Sequence, residues 1–106
     1  MSLLSIFGAP QGAELLQKAR AEEGARIVDV REPDEFATGH IKGAINIPLS
    51  RYREFEQMLP HKDATLYLYC ASGARSSRAC KFLSKMGYSS VCNMGGVGTL
   101  GEDLVC

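Results

Sequence analysis

Thr65-Leu66-Tyr67-Leu68-Tyr69-Cys70-Ala71-Ser72-Gly73-Ala74-Arg75-Ser76 is the stretch from which the rest of the chain can be read. Residues 65–69 are apolar, aromatic or β-branched and carry no charge, which predicts a strand covered on both faces. From Ser76 to Met86 the apolar residues Ala79, Phe82, Leu83 and Met86 recur at i, i+3, i+4 and i+7. That spacing predicts a helix with one core face, closed by Gly87. Cys70 therefore stands where a strand ends, a loop of small residues turns and a helix begins. Backbone N–H groups converge at such a junction and carry partial positive charge. A thiol placed there ionises more readily than a free one. Cys70 is the candidate nucleophile, and Ala71, Ser72, Gly73, Ala74, Arg75 and Ser76 are its candidate cradle.

Outward from this centre the chain alternates strand and helix. Residues 11–23 have helical spacing, with Leu15, Leu16 and Ala19 on one face and Glu14–Lys18 as an i,i+4 pair, and Gly24 ends them. Residues 26–30 predict a strand that delivers Asp29 and Arg31 at its end. Pro33 starts a short helix through Phe36, stopped by Gly39. Residues 44–47 predict a second short strand, closed by Pro48. Residues 49–59 predict a helix burying Tyr52, Phe55, Met58 and Leu59, terminated by Pro60. Residues 90–94 predict the last strand, followed by Gly95-Gly96. Residues 1–10 read as a leader with a short edge strand at 4–7. The expected class is α/β: a single domain over residues 1–106, with a central, mostly parallel sheet of about five strands and helices on both faces. Ligands of such sheets sit beyond the carboxyl ends of the strands. Asp29, Cys70 and the Met94-Gly95-Gly96 turn all occupy such ends.

Composition narrows the function classes. In 106 residues, 45% are hydrophobic and 23% charged, as in an ordinary soluble globular protein. The formal net charge is zero, so there is no bulk attraction for nucleic acid or a membrane surface. The charge is unevenly placed, however. No Asp or Glu occurs between Ala64 and Gly101, whereas Arg75, Arg78, Lys81 and Lys85 do. The positive field is concentrated around the Cys70 loop and suits a thiolate or a small anion. The start of the chain lacks the basic segment of a secretory signal, which predicts a cytoplasmic protein. Cys70, Cys80, Cys92 and Cys106 show no C-x-x-C spacing, and only His40 and His61 accompany them. Neither a zinc site nor a disulfide framework is expected, and no cofactor is implied. Cys80 and Cys92 read as core fillers.

Longer blocks now carry a resemblance. Asp29-Val30-Arg31-Glu32-Pro33-Asp34-Glu35-Phe36, then Gly39-His40-Ile41-Lys42-Gly43-Ala44-Ile45-Asn46-Ile47-Pro48, the Cys70–Ser76 loop, and Gly95-Gly96 together resemble a single-domain rhodanese. The resemblance covers nearly the whole chain. It implies a sulfurtransferase in which Cys70 attacks the outer sulfur of thiosulfate, releases sulfite and holds a persulfide. A thiol or cyanide then takes the sulfur. A sulfur-relay protein is a further partner the resemblance allows. The residues suit each step. Loop N–H groups can hold an anionic persulfide, Gly73 lets the backbone curl, and Arg75 can bind an oxyanion by forked hydrogen bonds.

Competing readings remain at this stage. One is a sulfur carrier or interaction module that receives persulfide from a partner without turning over thiosulfate. Another is a phosphatase or arsenate reductase. Cysteine phosphatases place five residues between Cys and Arg, whereas four, Ala71 to Ala74, stand here, and Tyr69 precedes the cysteine instead of a histidine. Ser72 and Ser76 are read as helix caps. Asp29 and Arg31 are read as an internal ion pair supporting the site, and His40 as structural. Glu32, Asp34 and Glu35 are read as a solvated face. The absence of tryptophan after Gly96 departs from the usual rhodanese pattern and predicts either a more open site or one completed by a partner.

Overall fold

The computed structural model describes residues 11–106, so the edge strand expected at 4–7 lies outside the described residues. Within them the order is α1 (Gly12–Ala21), β1 (Arg26–Asp29), α2 (Pro33–Thr38), β2 (Ile45–Asn46), a 3-10 helix (Leu49–Glu54) running into α3 (Phe55–Met58), β3 (Thr65–Cys70), α4 (Ala74–Lys85), β4 (Ser90–Gly96) and a 3-10 turn (Val97–Thr99). Among the described residues the sheet has four strands in the order β2-β1-β3-β4, each pair parallel. The α/β class and parallel sheet follow the expectation; the strand count is one lower.

β3 is central because both of its faces are apolar. Leu66, Leu68 and Cys70 point one way and join Val28, Val30, Phe55, Ala79 and Leu83. Tyr67 and Tyr69 point the other way and join Leu16, Ala19, Ile41 and Met94. This is the period-two alternation of a strand feeding two cores at once. Helix α4 therefore covers one face and α1 the other. Parity also decides that Cys70 faces the α4 side.

The 49–59 segment differs from its expected single helix. Arg51 has non-helical angles (φ −121°, ψ 35°) and kinks it, with a 3-10 stretch before α3. A 3-10 turn advances by three residues instead of 3.6, so the apolar stripe changes phase. Phe55 and Leu59 are buried and Tyr52 is half-buried, but Met58 is 47% exposed, contrary to its expected core position. Among the described residues no helix is long and apolar enough to cross a membrane.

The two side chains should separate in denaturant titrations. Phe55→Ala leaves a cavity in the α4-side core and should cost about 3–5 kcal/mol. Met58→Ala should stay within about 0.5 kcal/mol of the parent, as expected at a solvent-facing position. Equal losses at both would contradict the kinked arrangement.

Candidate active site

The carboxyl end of β3 sets the site. Cys70 is its last residue, and Gly73 begins α4 with φ +96°, a left-handed conformation that favours glycine. The loop lies directly on the glycine pair of β4. A Cβ built on Gly96 would stand 2.7 Å from the Ala71 carbonyl oxygen, and one on Gly73 would stand 3.2 Å from Gly95 Cα. A bulge in β4 brings about this alignment. Leu68 pairs with Asn93 but Tyr69 pairs with Gly95, so Met94 is the extra residue and Gly96 falls opposite Cys70.

Cys70 is wholly buried, which disfavours the thiolate, yet its pKa lies below the ordinary value. Burial is the largest single influence and pushes it up. The Ser76 hydroxyl, the Ser76 N–H and the N–H groups of Ser72 and Gly73 together outweigh it. Gly73 N–H lies 3.0 Å from Sγ, Ser76 N–H 3.4 Å and Ser76 Oγ 3.5 Å. The loop is thus an anion cradle built mostly of backbone. By contrast, burial raises the thiols of Cys80, to about 11, and Cys92. Those two lie in the environments of inert core cysteines.

The Ser76 side chain is buried and bonds within the site, and neither Ser72 nor Ser76 caps α4, contrary to expectation. Arg75 is engaged as well. Its Nη1 and Nη2 donate to the two carboxylate oxygens of Glu35 at 2.6 and 3.0 Å. Glu35 is therefore a structural partner of the loop and departs from the expected solvated face. It also accepts from the Glu32 N–H in the capping box of α2. The Arg75 guanidinium, then that N–H, hold the Glu35 carboxyl at about 2.

Asp29 and Arg31 form the ion pair expected of them, with Arg31 Nη2 2.6 Å from Asp29 Oδ2 and both side chains buried. Arg31 also donates to the Gly39 carbonyl at 2.7 Å, and its guanidinium stands over the Tyr69 ring. The pair anchors β1 to the turn after α2 and contacts Tyr69, the residue before Cys70. The His40 ring stacks on Phe36 with centroids 3.7 Å apart, and its Nδ1 lies 2.9 Å from Phe36 O. Both features fit its structural reading.

Asn93 has no role in the sequence reading, yet it joins the site. Its side chain contacts Ser76 Oγ at 2.6 Å, Gly73 O at 3.2 Å and Gly95 N at 2.9 Å. The signal available in the sequence is parity: Asn93 shares a strand face with Val91, which packs on the α4-side core. A polar residue at the strand end on that face points at the start of α4.

Comparison with known proteins agrees with this architecture. The family described as Rhodanese-like domain matches residues 12–97. The thiosulfate sulfurtransferase PspE of Escherichia coli K12 is 42% identical over 71 residues, covering 66% of this chain and 68% of that protein. The uncharacterized protein YqhL of Bacillus subtilis is 44% identical over 72 residues, 68% of this chain but only 56% of that protein. The structure described as rhodanese with anions from E. coli superposes with a TM-score of 0.72 at 36% identity, covering 76% of this chain and 96% of that one.

Two measurements probe the loop. Gly96→Ala should displace the Ala71 carbonyl and cost about 1–3 kcal/mol in chemical denaturation. Gly98→Ala, where a Cβ meets nothing within 4 Å, serves as the control and should be near neutral. The Arg75–Glu35 tether should respond to acid. Because the folded-state value of Glu35 lies below its ordinary 4.5, the stabilisation is complete above that pH and is lost as the pH falls toward about 2. Thermal unfolding followed from neutral to acidic pH should therefore show a smaller acid loss in Glu35→Gln than in the parent.

Proposed function

The chain belongs to the rhodanese-like domain family, and from that premise we propose that it transfers sulfane sulfur through a persulfide on Cys70. The observation that carries this reading is the buried Cys70 sulfur with backbone N–H donors gathered on it and, among the described residues, no other titratable side chain hydrogen-bonded to it. A cradle of that kind stabilises a thiolate, and afterwards an anionic terminal sulfur, without a general base.

In the first half-reaction the Cys70 thiolate attacks the outer sulfur of thiosulfate. A new S–S bond forms, the sulfur–sulfonate bond breaks, and sulfite departs with the bonding pair. Cys70 is left as a persulfide anion. In the second half-reaction a thiolate or cyanide attacks the outer sulfur, and Cys70 leaves again as thiolate. Charge balances in each step, and no external oxidant or reductant is needed. This is nucleophilic catalysis in two covalent stages, with ping-pong kinetics expected. Ala71, Ser72, Gly73, Ala74, Arg75 and Ser76 act as the binding frame. Asp29 and Arg31 support it from β1.

The Arg75–Glu35 fork favours a second reading of the donor. A guanidinium already paired with a carboxylate offers little net charge to a sulfonate. A persulfide donor, carried by a partner protein or a small thiol, makes no such demand, and the chain then serves as a sulfur carrier.

Intact mass spectrometry separates the readings. After thiosulfate, the parent should gain one sulfur atom and Cys70→Ser should gain none. A gain from cysteine persulfide but none from thiosulfate would select the carrier reading. No gain from either donor would overturn sulfur transfer altogether.

A further inference from the structure

Asn93 bonds three parts of the site at once, and its geometry fixes where one proton lies. The Gly95 N–H, 2.9 Å away, needs an acceptor, so the atom facing it is Oδ1. The same Oδ1 lies 2.6 Å from Ser76 Oγ. An amide oxygen only accepts, so the Ser76 hydroxyl donates to it. A hydroxyl has a single proton. With that proton on Asn93, Ser76 presents only a lone pair to Cys70 Sγ at 3.5 Å. This arrangement suits a neutral thiol, whose S–H donates to Ser76 Oγ. It does not suit a thiolate, which requires the hydroxyl to turn round.

We propose that Asn93 is a positioning residue that competes with the Cys70 sulfur for the Ser76 hydroxyl proton, holding it while the thiol is neutral and releasing it when the sulfur carries charge. The competition is local. The ion-paired groups around the end of β3 are Arg75 on α4 with Glu35 from α2, and Asp29 of β1 with Arg31 just beyond it, while Arg78, Lys81 and Lys85 lie farther along α4 and are exposed. Neither pair includes Ser76 or Asn93. Among the described residues Gly73 O, at 3.1 Å, is the one other acceptor bonded by the hydroxyl, and Asn93 Nδ2 donates to that same carbonyl. One amide thus occupies both alternatives to the sulfur. In the sulfur-transfer reading, on which this consequence rests, the device serves the persulfide state. The charge then sits on the outer sulfur, the inner sulfur is neutral, and the proton returns to Asn93.

The test is the pH dependence of Cys70 alkylation by iodoacetamide in the full chain, followed at the Cys70 peptide by mass. It needs no sulfane donor, so its outcome is independent of whether sulfur transfer itself survives. Asn93→Ala frees the hydroxyl for the sulfur and should raise the rate on the acidic limb about two- to fourfold, the effect of one hydrogen bond on the thiolate fraction less the accompanying loss of nucleophilicity. In a Ser76→Ala background the same change should have no such effect. Asn93→Asp, of equal size, keeps the acceptor and should slow the reaction, and Ser76→Ala should shrink that slowing. It decides the matter if Asn93→Ala does not fold. An unchanged or slower rate in a folded Asn93→Ala, or effects of equal size with and without the Ser76 hydroxyl, would overturn the proposal.

Discussion

A fully buried sulfur whose ionisation is favoured by the dipoles around it is the constraint on which this arrangement depends. Burial alone opposes ionisation of Cys70, and the opposing groups are N–H and O–H dipoles from three residues of one short loop, Ser72, Gly73 and Ser76. Those dipoles converge only if the backbone turns from strand to helix within three residues. The turn in turn needs a left-handed glycine at 73 and a bare backbone beneath it. Gly95 and Gly96 supply that floor because a bulge at Met94 moves them opposite Tyr69 and Cys70. Strand, loop, helix and glycine pair are therefore parts of one solvation shell for one atom.

The two ion pairs near the site differ in kind. Asp29–Arg31 is buried, and its charges are tolerated because nearly every polar atom is used: the carboxylate accepts from the Arg31 backbone and side chain, and the guanidinium also reaches the Gly39 carbonyl. It holds β1 and the turn after α2 in register with Tyr69. Arg75–Glu35 is about one-third exposed at each partner. Solvent screens it, so its value lies in geometry more than in free energy. It ties the Cys70 loop to the amino end of α2 and engages both Nη groups of the loop's cation.

The sequence made some of this legible and hid the rest for physical reasons. The β3–loop–α4 unit is legible because its signals are local: an uncharged strand, small loop residues, and apolar spacing at Ala79 and Leu83. Met58 misleads because spacing presumes 3.6 residues per turn, and the kink at Arg51 changes that period upstream. Glu35 misleads because an acid in the first turn of a helix is favourable in isolation. Only the packing of α2 against the loop brings Arg75, forty residues later, to its carboxylate. Asn93 is hidden in the same way, since its partner Ser76 lies in a helix, seventeen residues earlier in the chain.

By itself, then, the sequence determined the α/β class, the central strand, the cysteine at its end and the glycine pair after the last strand. Each follows from propensity, periodicity or backbone freedom within a short window. Tertiary structure alone decided which side chains meet that cysteine's surroundings: Glu35 on Arg75, and Asn93 on Ser76. These contacts depend on register, on a one-residue bulge and on the seating of one helix against another. Such placements cost little in any local term, and they become fixed only when the two cores on either side of β3 are packed together.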